Sequence, residues 1–178
     1  MREHEVGEVS EVSRGTKALG ADTNGFGGGF PRQFIPWVKK MGWYPDGEVC
    51  WLCSGGITEP GFKVDIRPET RPDLVADATQ TGLEANRFDA VFIDPPYSAE
   101  LAAKLYGTKA YYHSINKFLE EGIRICKPGG LIVSLSYEVC KAFKDAEFLA
   151  VWGLYTVPSC SSMRCFIVLR KVLRGSGK

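Results

Sequence analysis

Apolar residues recur along the chain in short blocks separated by glycine, proline and acidic residues. Phe34, Ile35, Val38 and Met41 repeat at helical spacing, so Pro31 to Met41 predicts an amphipathic helix started by proline. Pro36 falls inside it and either bends the helix or marks a later start. Pro45-Asp46-Gly47 predicts a turn, and Glu48 to Cys53 an apolar buried strand. Strands are expected at Phe62 to Ile66, Leu74 to Ala76 and Phe88 to Ile93. Ser114 to Cys126 predicts a helix with Ile115, Phe118, Leu119, Gly122 and Ile123 on one side, stopped by Lys127-Pro128-Gly129-Gly130. Leu131 to Leu135 reads as a further buried strand and Val139 to Phe143 as a helical turn or two. Leu149 to Val157 and Met163 to Val172 read as a strand pair, the second rich in β-branched residues. Strands alternating with helices, and apolar runs buried on both faces, predict an α/β fold with a mostly parallel sheet.

The length of 178 residues fits one domain. Residues 1–29 read as a flexible N-terminal arm, because Glu3 to Glu11 is acidic and Gly25 to Gly29 holds four glycines. Residues 30–172 are the expected domain and 173–178 a tail. Composition is that of a soluble globular protein, with 44% hydrophobic and 24% charged residues. The apolar runs are too short to cross a bilayer, and Met1 to Glu5 lacks the apolar core of a secretory signal. The reading is a cytoplasmic protein without a membrane partner. A net charge of +1 neither demands nor excludes nucleic acid. Arg32, Lys39, Lys40, Lys104, Lys109 and Lys117 form either a basic face or ordinary solvated surface.

Cys50 and Cys53 make a CxxC, but residues three apart on a strand point to opposite faces. No second CxxC follows, and His4 and His113 are the only histidines. The six cysteines are therefore expected to be free thiols, and no metal is expected.

In parallel sheets ligands bind beyond the carboxyl ends of the strands. Here those ends are Cys53-Ser54-Gly55-Gly56, Asp65, Asp77 and Asp94, and three of the four carry a carboxylate. Asp94-Pro95-Pro96-Tyr97 is the most informative. An exocyclic amine on a base is a poor nucleophile, because its lone pair is delocalised into the ring. Two acceptors on its N–H bonds, the Asp94 carboxylate and the Pro95 carbonyl, would favour pyramidal nitrogen and aim its lone pair at a methyl donor. Pro95 and Pro96 stiffen the turn, which limits reorganisation in the transition state. Tyr97 is expected to stack on a base that has left any duplex.

Asp-Pro-Pro-Tyr after a buried strand resembles motif IV of the class I amino-methyltransferases that act on base amines in DNA or RNA. The resemblance extends over most of residues 30 to 172. Phe30-Pro31 and the following helix resemble the cofactor-contacting motif X. Val49 to Gly56 resembles motif I, with Cys53, Ser54, Gly55 and Gly56 at the cofactor. Val64 to Glu69 resembles motif II, implying that Asp65 holds the cofactor ribose with Ile66 beside it. Ala76-Asp77-Ala78 resembles motif III, implying Asp77 and Ala78 near the cofactor adenine. Asp94 would border both cofactor and substrate. Cys126 to Ile132 resembles the lead-in to the fifth strand.

The resemblance implies S-adenosylmethionine as cofactor and a Rossmann-like sheet of seven strands, mostly parallel, with an antiparallel last strand. It implies methyl transfer to a base amine, with adenine N6 in DNA favoured over RNA. Two departures stand out. Trp51 occupies the place of the usual acidic residue of motif I. Only Ile57 to Lys63 separate Gly56 from Val64, whereas a parallel crossover takes about a dozen residues or more, so the helix after the first strand is expected to be missing. The alternatives are an RNA base methyltransferase, a catalytically silent methyltransferase-like subunit, and a small-molecule methyltransferase. With no target-recognition segment evident, a homodimer or a partner subunit is expected to supply sequence reading.

Overall fold

A computed structural model describes residues 11–19, 30–31, 33–107, 112–156 and 163–172. Residues 1–10, the whole glycine-rich stretch, Arg32, Lys109, Cys160 and the tail at 173–178 lie outside it.

The strands are β1 (Ser13–Leu19), β2 (Val49–Leu52), β3 (Phe62–Asp65), β4 (Leu74–Val75), β5 (Phe88–Ile93), β6 (Cys126–Ser136), β7 (Ala146–Thr156) and β8 (Met163–Lys171). The helices are α1 (Phe34–Lys40), α2 (Ala99–Tyr106) and α3 (Ile115–Ile125), with a 3-10 turn at Pro68–Thr70. All eight strands form one sheet in the order β1-β7-β8-β6-β5-β2-β3-β4. Only β8 runs antiparallel to its neighbours, β6 and β7. This is the expected Rossmann-like sheet with an antiparallel last strand, extended by one strand at its edge.

That extra strand corrects the expectation of an arm reaching residue 29. Ser13–Leu19 pairs in parallel with β7. Hydropathy gave no sign of it, because on an edge strand backbone pairing does the work and only Leu19 is buried. Gly15 is needed there. A Cβ would lie 2.7 Å from the Trp152 ring, which passes over it while its Nε1 donates to Ser13 Oγ at 3.1 Å.

Along β2 and β5 the side chains alternate between two cores. Cys50, Leu52, Val91 and Ile93 pack with α3 on one face. Val49, Trp51, Ala90 and Phe92 pack with α1 on the other, beside an aromatic cluster of Trp37, Trp43, Trp152 and Phe166. Burial on both faces explains the unbroken apolar runs of the central strands.

Local differences from the expectations have local causes. α1 starts at Phe34, so Pro36 falls in the first turn, where its missing N–H costs nothing. α2 is not marked by hydropathy, yet Ser98 Oγ caps it by accepting from Leu101 N–H at 3.1 Å, and Gly107 ends it at φ 71°. β6 begins at Cys126, with a register break between the Phe88 and Ala90 pairings that absorbs Lys127 to Gly130. Val139 to Phe143 is irregular rather than helical. Asn116 Oδ1 accepts from its Lys141 N–H, and just before it Ser136 Oγ accepts from Glu138 N–H.

Candidate active site

The expected absence of a helix after the first strand is observed, since β2 connects to β3 through the loop 53–61 alone. Buried Trp51 anchors that loop by donating from Nε1 to the Pro60 carbonyl at 3.0 Å. Gly61 follows at φ 134°, where a Cβ would lie 2.6 Å from Trp51 Nε1 and 2.7 Å from the Val49 carbonyl. Trp51 thus ties the end of the short crossover to β2. Cys53 turns the chain at φ 57°. Ser54 is fully buried, and its hydroxyl has no hydrogen-bond partner among the described residues.

Asp65, at the end of β3, is 1% exposed. One carboxylate oxygen accepts from Gly55 N–H at 2.8 Å, the other from the Arg67 backbone N–H at 2.9 Å and Arg67 Nε at 3.2 Å. It ties the β2–β3 loop to the end of β3. Asp77, beyond β4, accepts from the backbone N–H and hydroxyl of Thr79 at 2.8 and 2.7 Å, and its second oxygen lies 3.5 Å from His113 Nε2. Partial burial pushes its pKa up, but the Thr79 hydrogen bonds and His113 outweigh that, and the carboxyl stays below its ordinary range.

Asp94 ends β5 at 7% exposure, and the Tyr97 hydroxyl donates to its carboxylate. Burial, reinforced by the Asp94 charge, drives the Tyr97 pKa far above its ordinary value, so Tyr97 remains a donor. The Tyr97 ring packs on Tyr137, centroids 4.6 Å apart at 31°, and the Arg164 guanidinium lies 5.4 Å from its centroid.

Two small cavities share a lining residue here. The first is lined by Cys53, Asp65, Ile66, Asp77, Ala78, Pro96, Tyr106 and Phe118. It brings together five of the residues that the motifs assigned to the cofactor. The second is lined by Pro95, Pro96, Tyr97, Tyr112, His113, Ile115, Ser136, Tyr137 and Glu138. Pro96 borders both, and the Asp77–His113 pair spans from one to the other.

Other expected residues fall elsewhere. Ser54, Gly55 and Gly56 support the first cavity without lining it, and Asp94 lines neither, being capped by Tyr97. Phe30 and Pro31 do not line the first cavity either. Phe30 is 2% exposed in the core across the sheet, its ring against Phe34 and Trp51. The sequence reading did not place Tyr106, Tyr112, His113 or Tyr137 at the site, and Phe118, which it read as packed, is both core and cavity wall. Only the Ser98 and Gly107 signals bounding α2 pointed toward Tyr106.

The CxxC geometry also differs from expectation. Cys53 lies past the end of β2, and both thiols pack against the same core face. Among the described residues no three His, Cys, Asp or Glu side chains are grouped to hold a metal ion. No helix among them is long and apolar enough to cross a membrane.

The chain matches no family model and no curated protein sequence. Among solved structures it is similar to TrmN from Thermus thermophilus, with 15% identity and a TM-score of 0.55 over 78% of this chain and 48% of that one. It is also similar to the tRNA m1G37 methyltransferase of M. jannaschii, with 12% identity and a TM-score of 0.52 over 83% of this chain and 52% of that one. The fold is a Rossmann-like methyltransferase fold. The chain thus spans about half the length of these two structures.

Proposed function

We propose that this chain transfers a methyl group from S-adenosylmethionine to the exocyclic amine of a nucleic-acid base. The observation that carries the reading is that Pro96, inside Asp94-Pro95-Pro96-Tyr97, is a shared wall of two cavities. The lining of one matches a donor site and that of the other an acceptor site, with Pro96 between them.

The first cavity fits the cofactor by its donor and acceptor set. Asp65 has about four lone-pair directions and three N–H donors, so it can accept from a ribose hydroxyl. Asp77, held ionised, can accept from an adenine amine, while Ile66, Ala78 and Phe118 supply apolar contact for a ring. When bound, the cofactor supplies an electrophilic methyl on sulfonium.

Toward the acceptor, the Asp94 carboxylate and Pro95 carbonyl take the two amine N–H bonds, the amine joining or replacing the Tyr97 hydroxyl on Asp94. As the nitrogen becomes cationic, the Asp94 interaction strengthens, which makes it a transition-state interaction. Pro95 and Pro96 hold the acceptors in place.

Adenine N6 in DNA is the substrate that the Asp-Pro-Pro-Tyr form suggests, and the similarity to a tRNA methyltransferase brings RNA in equally. Incubation with labelled S-adenosylmethionine and DNA or RNA, followed by nucleoside mass spectrometry, tests both. Asp94→Ala should keep cofactor affinity and lower turnover roughly 10²–10³-fold, as loss of one preorganised electrostatic contact does elsewhere. Near-normal turnover in that variant would sink the mechanism. Trp51 in place of the acidic motif I residue favours a second reading, a silent subunit. Cofactor binding without transfer to any nucleic acid, alone or with a partner subunit, would select it.

A further inference from the structure

We propose that the groove at the foot of β2 is the docking site for a partner protein, which lays an arginine-bearing segment between α1 and the β2–β3 loop.

The groove follows from the short crossover. A crossover helix would lie beside α1 as a cylinder about 10–12 Å across. The loop 53–61 that replaces it is a single layer of chain, drawn onto Trp51 at Pro60. Between the end of that loop, the last turn of α1 and the connection at 44–49 lies an open cavity of about 700 Å³. That volume is in the range of built ligand sites. The groove opens at Val49, the first residue of β2, whereas Asp65 and Asp94 stand at the opposite ends of strands parallel to it. An occupant therefore leaves the proposed active site clear.

The lining selects a cation. Asp46, Glu48 and Glu59 line the groove against one ammonium, that of Lys39, in a chain whose net charge is +1. Asp46 has no ion-pair partner among the described residues. Tyr44 supplies an aromatic wall, its ring backed by Phe92 and Trp51 at 5.5 and 6.3 Å. This wall already holds a cation, because Lys39 Nζ lies 4.7 Å from the Tyr44 centroid and 2.9 Å from Glu59 Oε2. The Lys39 side chain is 49% exposed, so it can swing into water and yield both partners to an incoming guanidinium. Arginine suits the place better than lysine does, since its planar fork stacks on a ring and bonds a carboxylate at two points. The same acidic wall repels phosphate, which favours a protein over the nucleic-acid substrate as occupant.

The test needs no methyl transfer. The full chain, labelled with ¹⁵N, is titrated with hexa-arginine amide, and with hexalysine, hexaglutamate and spermidine for comparison. Hexa-arginine should shift the amides of Asp46, Gly47 and Gly61 saturably, and bind more tightly than the other three. Asp46→Lys, on an exposed turn, should weaken it at least about tenfold by placing like charges together. Tyr44→Leu should weaken it roughly 2- to 30-fold by removing the aromatic face. Thermal melting of each variant separates lost binding from lost folding, and Asp46→Lys decides the matter if Tyr44→Leu fails to fold. Shifts elsewhere or none, or wild-type affinity in Asp46→Lys, would overturn the proposal. Hexalysine or spermidine binding as tightly as hexa-arginine would also overturn it, leaving general attraction of cations. So would sedimentation showing that the chain alone self-associates and that Asp46→Lys dissociates it, which assigns the groove to a second copy.

Discussion

Replacing Asp65 with alanine tests structure and function at one atom group. Its carboxylate is buried and accepts from three N–H groups, two of them on Arg67. Removing it strands the buried Gly55 N–H, at a cost of about 1–3 kcal/mol. It also removes the carboxylate that lies 3.2 Å from Nε of Arg67, whose side chain is 11% exposed. Breaking a buried pair by deleting one member costs about 3–5 kcal/mol. The two costs overlap, so a total near 3 kcal/mol is a sound lower figure, and for a chain of this size it corresponds to a melting-temperature drop of roughly 6–12 °C. Urea denaturation followed by circular dichroism should show the earlier midpoint. Asp65→Asn keeps the shape and an acceptor for Gly55, so it should fold better and lose less. Calorimetric titration with S-adenosylmethionine then reads the second role, and the folded Asn variant should bind more weakly than wild type. An Asp65→Ala midpoint equal to wild type would refute the role of Asp65 as a strut. Unchanged cofactor affinity in folded Asp65→Asn would remove it from the cofactor site.

Gly61→Ala should destabilise the chain by at least about 1–3 kcal/mol, since alanine at φ 134° is strained and its Cβ meets the Val49 carbonyl. The urea midpoint reads this, and tolerance of alanine there would mean that the β2–β3 crossover is looser than described. Glu121 gives a pH dependence. Its burial raises its pKa, but hydrogen bonds from Arg124 and Thr81 outweigh this and hold it below the ordinary 4.5. A depressed carboxylate stabilises the fold fully above the unfolded value and loses that contribution as pH falls through the folded one. The stability difference between wild type and Glu121→Gln should therefore be constant above about pH 5 and shrink as the pH drops below 4.5. A difference that grows toward acid would contradict the assignment.

The central strands were legible in the sequence because burial on both faces leaves continuous apolar runs. Phe88–Ile93 falls where hydropathy put it. The missing helix after β2 was legible too, as too few residues separate Gly56 from Val64 for a crossover helix. Carboxylates at successive strand ends marked out Asp65 and Asp77, and the structure gathers them around one cavity with Cys53, Ile66 and Ala78. Tertiary structure alone decided the rest. β1 has no hydropathy signature, because an edge strand is held by backbone pairing to β7. Phe30 turned out to pack in the core across the sheet, since the side on which a helix docks is set by the whole packing rather than by its own sequence. The second cavity draws on the loop after β5, the approach to α3 and the turn after β6. These residues are distant in sequence, and no local period links them.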